Sequence, residues 1–130
     1  MPCTPPDLYR KFPVNTHECG SDKEQLAADY LAGHGYRIIA RNFRTHFGEI
    51  DLIATDQEYL VFIEVKYRKN ARVQHPAAAV DFRKQRRICQ SAMIYMQKSR
   101  FGTDMPVRFD VIAILGDTIC LYKNAFDYVV

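Results

Sequence analysis

Gly48-Glu49-Ile50-Asp51-Leu52-Ile53-Ala54, then Leu60-Val61-Phe62-Ile63-Glu64-Val65-Lys66 after a short polar stretch, decide how this chain folds. Both read as β-strands, and Asp56-Gln57-Glu58 between them reads as a turn. The second is apolar at nearly every position, the pattern of a strand covered on both faces. Against that background the charges stand out: Asp51 lies mid-strand, and Glu64 and Lys66 end an apolar run. Side chains alternate along a strand, so Glu64 and Lys66 project one way while Ile63 and Val65 project the other. If the two strands pair as a hairpin, Asp51 lies near Glu64 and their carboxylates converge.

Two carboxylates meeting at the end of a sheet repel each other, and apolar surroundings disfavour their ionisation further. A hard divalent cation relieves both problems. Carboxylates, a backbone carbonyl and waters suit Mg²⁺ or Mn²⁺, and such an ion lowers the pKa of bound water and stabilises charge on a phosphoryl oxygen. Lys66 beside it could orient the attacking water or stabilise charge building at phosphorus. The set Asp51, Glu64, Lys66 is therefore coherent for phosphodiester cleavage. A structural ion pair, Glu64 with Lys66 or Asp51 with an arginine, explains the same residues and stays open.

Outward from this core, Ser21-Asp22-Lys23-Glu24 fits an S-x-x-E capping box, and Leu26, Ala27, Tyr30 and Leu31 follow at helical spacing to a stop at Gly33 or Gly35. Alternation from Tyr36 to Arg41 predicts a strand. Val80 to roughly Lys98 predicts a second helix, ended by the glycine and proline within residues 99–106. Val107 to Leu115 and Thr118 to Tyr122, joined at Gly116-Asp117, predict two more strands. The order αβββαββ implies an α/β fold, a central mixed five-stranded sheet between two helical layers.

The 130 residues suit one domain, and 48% hydrophobic with 25% charged residues excludes general disorder. Residues 1–20 hold four of the six prolines and read as a flexible tail before a single domain spanning 21–130. No apolar run is long enough to span a membrane. The start lacks the features of a secretory signal, so a cytoplasmic address is expected. Cys3, Cys19, Cys89 and Cys120 have no metal-ligand spacing, and the cysteines are assigned no role.

GEIDLIA followed by LVFIEVKYRK resembles the YraN-like family of uncharacterised proteins, within the PD-(D/E)XK nuclease superfamily. The resemblance extends to the KEQLAADYL helix, GYRIIARNFR, RKQRRI, RFDVIAI and NAF, from about Gly20 to Phe126. It implies a restriction-endonuclease-like fold in which Asp51 and Glu64 bind metal, the Val65 carbonyl is a further ligand, and Lys66 assists catalysis. Glu24 stands where many relatives supply an extra acidic ligand, and it equally completes the capping box. Gln85 stands where relatives place a polar residue near the active site. Val73-Gln74-His75-Pro76 lacks the glycine many relatives carry there.

On a wheel of about 100° per residue with Arg83 at zero, Lys84 falls near ~100°, Arg86 near ~300° and Arg87 near ~40°. Ile88, Cys89, Ala92, Met93 and Met96 fill the arc from about 140° to about 280°. The bases therefore oppose the apolar stripe, and Arg68, Lys69 and Arg72 extend them. Such a face either follows a nucleic-acid backbone through its phosphates or is simply solvated. Glu49 is expected to cap a strand end or meet an arginine, and Asp110 to form a structural ion pair with Arg108.

Together these readings point to a Mg²⁺-dependent endonuclease acting on DNA, at branched or damaged sites. A non-cleaving nucleic-acid-binding module on the same fold and a protein-interaction subunit with structural charges are the alternatives. A homodimer is left open.

Overall fold

A computed structural model describes residues 9–11, 20–68, 80–99, 104–116 and 118–128. In chain order the elements are β1 (Tyr9–Lys11), α1 (Gly20–Ala32), β2 (Arg37–Thr45), β3 (Gly48–Asp56), β4 (Tyr59–Arg68), α2 (Phe82–Lys98), β5 (Val107–Leu115) and β6 (Thr118–Phe126). They build one mixed sheet in the order β1-β6-β5-β4-β3-β2. Its five main strands are those the sequence predicts. β1 is an addition: the backbone of Tyr9–Lys11, within the expected tail, pairs antiparallel with β6.

β4 is central because both of its faces are apolar. Leu60 and Phe62 enter a core with Ile53, Phe109, Val111, Ile88, Ala92 and Met96, on the α2 face. Val61 and Ile63 enter the opposite core with Ala27, Leu31, Ile112 and Ile114, on the α1 face. The result is a three-layer α/β/α arrangement. Burying each large aliphatic or aromatic side chain stabilises the fold by about 1.5–3 kcal/mol, which accounts for the near absence of polar residues here.

The hairpin expected around residues 56–58 forms, with Leu60 opposite Thr55 and Ile63 opposite Leu52. β4 then runs parallel to β5 along its whole length, and α2 lies in the crossover between them, as a parallel pair requires. Asp81 ends the approach to α2 and accepts the Lys84 backbone N–H at 2.8 Å, an N-cap that orients the helix start. Further along α2, the buried Ser91 hydroxyl meets Thr45 Oγ1 at 2.7 Å, and Thr45 also accepts the Phe47 N–H at 3.0 Å. The β2–β3 turn is thereby tied to α2. Gly48, with a φ of 154°, opens β3 under this helix, where an added Cβ would come 3.6 Å from the Arg87 Cβ. The start of β3 and the first turns of α2 thus face one another.

Two expectations need correction. The helical backbone of α1 begins at Gly20, so Ser21 lies inside the first turn and does not occupy the non-helical cap position that a capping box needs. Cys120, assigned no role, is disulfide-bonded; Cys89 is a buried core residue.

Candidate active site

β3 and β4 stop pairing after Leu52 and Ile63. Beyond that point β3 continues along β2 as far as Gly48, while β4 continues along β5 as far as Arg68. A gap opens between them, and the next residue on each strand is an acid, Asp51 and Glu64. The Val65 N–H, left by the broken ladder, donates to Asp51 Oδ2 at 2.8 Å.

Glu64 is 6% exposed and hydrogen-bonds to Asp51 through its carboxyl group. Burial, reinforced by the Glu64 charge, pushes Asp51 up to about 7, against the opposing pull of the Val65 N–H. Glu24 on α1 adds negative charge in the same direction, which places its field on this gap. Among the described residues Asp51 has no ion-pair partner. Glu64 does pair: Lys66 Nζ lies 3.4 Å from its Oε2 and Lys84 Nζ 2.5 Å from the same oxygen. Burial, with the neighbouring Lys84 ammonium, lowers Lys66. Lys84 is raised, because its bonds to Glu64 and Lys66 outweigh the opposing effect of burial.

Of these groups Asp51, Glu64 and Lys84 line a cleft of about 520 Å³, and Lys66 lies outside its lining. Gly48, Glu49, Asp51 and Glu64 form its sheet wall, and Arg83, Lys84 and Arg87 its helix wall. Lys84, placed by the wheel among outward phosphate contacts, instead reaches into the cleft. Arg83 and Arg87 stand at its edge; Arg86 is exposed elsewhere on the helix surface. Gln85 turns back to donate to the Val80 carbonyl at 2.8 Å and does not line the cleft. The side chain of Arg68, together with Lys69, Arg72 and residues 73–76, lies outside the described residues. Glu49 meets Arg44 Nε at 2.9 Å, as expected of an acid near a strand end.

Asp110 provides the contrast. Register slips between Phe109 and Val111, and Asp110 accepts the Asn124 N–H there at 2.9 Å, just as Asp51 accepts that of Val65. Asp110 also holds both Arg108 Nε and Nη2, at 2.9 and 2.8 Å, and the Tyr36 hydroxyl at 2.7 Å. Arg108 reaches on to Asp56 at 2.8 Å. This fully satisfied network is the structural ion pair expected from the sequence. Both acids replace a missing ladder bond, yet one faces an arginine and the other a second acid.

The Asp51–Glu64 pair supplies oxygen donors of the kind a hard divalent cation takes, with waters filling the remaining positions. Among the described residues no three acidic, histidine or cysteine side chains form a group able to hold a metal. Any ion there would rest on two carboxylates and the backbone.

The model of the uncharacterised protein family UPF0102 matches residues 23–114, a span holding every element of the cleft. The chain belongs to UPF0102, the YraN-like family. It is 48% identical over 108 residues to the UPF0102 protein of Lachnoclostridium phytofermentans, covering 83% of this chain and 92% of that one. It is 45% identical over 109 residues to the UPF0102 protein of Thermodesulfovibrio yellowstonii, with 84% and 96% covered. A third relative, from Coxiella burnetii, is 43% identical over 113 residues, with 86% and 94% covered. No described helix of this UPF0102 member is long and apolar enough to cross a membrane.

Proposed function

We propose that this UPF0102 protein is a Mg²⁺-dependent endonuclease, with Mn²⁺ as an alternative metal, that hydrolyses phosphodiester bonds in branched or damaged DNA. The observation that carries this reading is the meeting of Asp51 and Glu64 where β3 and β4 part, with Lys66 beside them. Two buried carboxylates facing each other are a poor structural device, since neither relieves the other's charge. They are a good oxygen site for a divalent cation. In a strand the N–H and C=O of one residue face the same neighbour, so the Val65 carbonyl is directed to the side on which its N–H meets Asp51.

When bound, the cation would supply Lewis-acid stabilisation of the phosphoryl oxygens and a more acidic water. Asp51 and Glu64 would hold it. Lys66, lowered by its surroundings, would orient the nucleophile or stabilise charge at phosphorus. Arg83 and Arg87, at the cleft edge, would hold the flanking phosphates. Glu24 would act on the pair through its charge, and Gln85 would support the start of α2.

The test is cleavage of end-labelled branched, single-stranded and duplex DNA with Mg²⁺ or Mn²⁺. Wild type is expected to cut, and Asp51→Asn and Lys66→Met to lose about a hundredfold or more of that rate. Cleavage equal in wild type and Asp51→Asn overturns the mechanism. One observation favours a second reading, a non-cleaving nucleic-acid-binding module. The Lys84 ammonium already occupies the Glu64 oxygen, where a divalent cation would sit. Under that reading the protein binds branched DNA in a salt-dependent way and cuts nothing with either metal.

A further inference from the structure

Phe82 is 61% exposed, more than the other large hydrophobic side chains on the described surface. It is the first residue of α2, directly between Asp81 and Arg83, both of which line the cleft. Arg86 follows it by four positions, one helical turn on along the same side of the helix. Leaving an aromatic ring in water forgoes the stabilisation that burial would give. An exposed ring flanked by phosphate-binding cations is the arrangement by which unpaired bases are held: the cations follow the backbone and the ring stacks on a base face.

We propose that Phe82 is a stacking platform for an unpaired nucleobase, so that the strand entering the cleft is single-stranded where it crosses the start of α2. This rests on the nucleic-acid reading above and narrows its substrate to nucleic acid with an unpaired segment. A duplex keeps its bases stacked on one another and offers the ring none. Stacking is tolerant of base identity, so the site reads strandedness and not sequence. DNA and RNA share this chemistry.

The chain contains no tryptophan, so Phe82→Trp introduces a single indole at the platform. Binding is measured by fluorescence anisotropy in EDTA, which prevents cleavage, with labelled oligothymidine and oligouridine of about 20 nucleotides and a duplex of similar length. Phe82→Ala is expected to weaken single-strand binding by roughly five- to 150-fold, with duplex binding unchanged. Phe82→Trp should restore it, with indole fluorescence quenched as the strand binds. The oligothymidine and oligouridine arms show whether the sugar matters. Single-strand binding by Phe82→Ala equal to wild type, or a Phe82→Trp indole unchanged by bound strand, overturns the platform while leaving the nucleic-acid reading intact. Failure of wild type to bind any of the three overturns both.

Discussion

The Lys84 ammonium lies 2.5 Å from Glu64 Oε2, nearer than Lys66 at 3.4 Å. One carboxylate oxygen therefore serves two cations, one from its own strand and one from the helix across the cleft. Glu64 thereby has two counter-charges within reach, while burial makes Asp51 the member of the acid pair that holds on to a proton.

Removing Lys84 should separate its structural from its electrostatic part. Lys84→Met is expected to cost about 1–2 kcal/mol in urea unfolding without metal, below the range for fully buried pairs because Lys84 is 41% exposed and Lys66 remains. The same variant should bind Mn²⁺ several-fold more tightly, since a competing positive charge has left the site. Weaker Mn²⁺ binding would place Lys84 among the groups that build the site and not those that compete for it.

The acid pair sets a pH dependence for the metal-free protein. Folded Asp51 holds its proton up to about 7, whereas the unfolded chain releases it near 3.8. The folded state binds the extra proton between those values. This contribution to stability is full below about 3.8 and is lost as pH rises to about 7, with a limiting slope of about 1.4 kcal/mol per pH unit. Asp51→Asn should flatten the dependence and be more stable than wild type at neutral pH in EDTA. Thermal unfolding across pH 4 to 8, a window of roughly the affected range, checks this. An unchanged slope in the variant would contradict it.

Asp110 should behave oppositely. Asp110→Ala takes one of two carboxylates from Arg108, which keeps Asp56, and leaves the Tyr36 O–H and the Asn124 N–H without their acceptor. A loss of about 3–5 kcal/mol is expected, with Mn²⁺ affinity of the folded fraction unchanged. A change below about 1 kcal/mol, or a large loss of Mn²⁺ affinity, would show that the two acids are not separate in role.

Arg83 and Arg87 should contribute through phosphates alone. Each substitution to alanine is expected to weaken binding of all DNA sequences alike and to reduce the slope of log affinity against log salt by about one. Titrations at several salt concentrations measure it, and a sequence-dependent loss would argue for base contacts.

The candidate site was legible because folding alone gives no reason for acids in apolar strands. Asp51 and Glu64 violate the pattern that defines β3 and β4, and the turn at 56–58 fixes the register that brings them together. Asp110 violates it equally, and the sequence separated the two cases because Arg108 shares its face. A helical wheel ranks direction and not reach: at about 100° Lys84 stands only ~40° from the apolar arc, and its long flexible stem turns back across the gap to Glu64. Gln85 stands where the resemblance implies a polar residue near the active site, and the Val80 carbonyl beside it captures its amide. β1 was hidden because three residues carry too little periodicity to announce a strand. Its pairing depends on the free edge of β6, a tertiary fact.

Calorimetric titration of Mn²⁺ into wild type and the Asp51→Ala/Glu64→Ala double variant decides whether Asp51 and Glu64 form a divalent-cation site. Manganese binds such oxygen sites more tightly than magnesium and so gives the stronger signal. Saturable binding is expected in wild type and none in the folded double variant. Equal binding by both proteins, or none by wild type, would contradict that expectation.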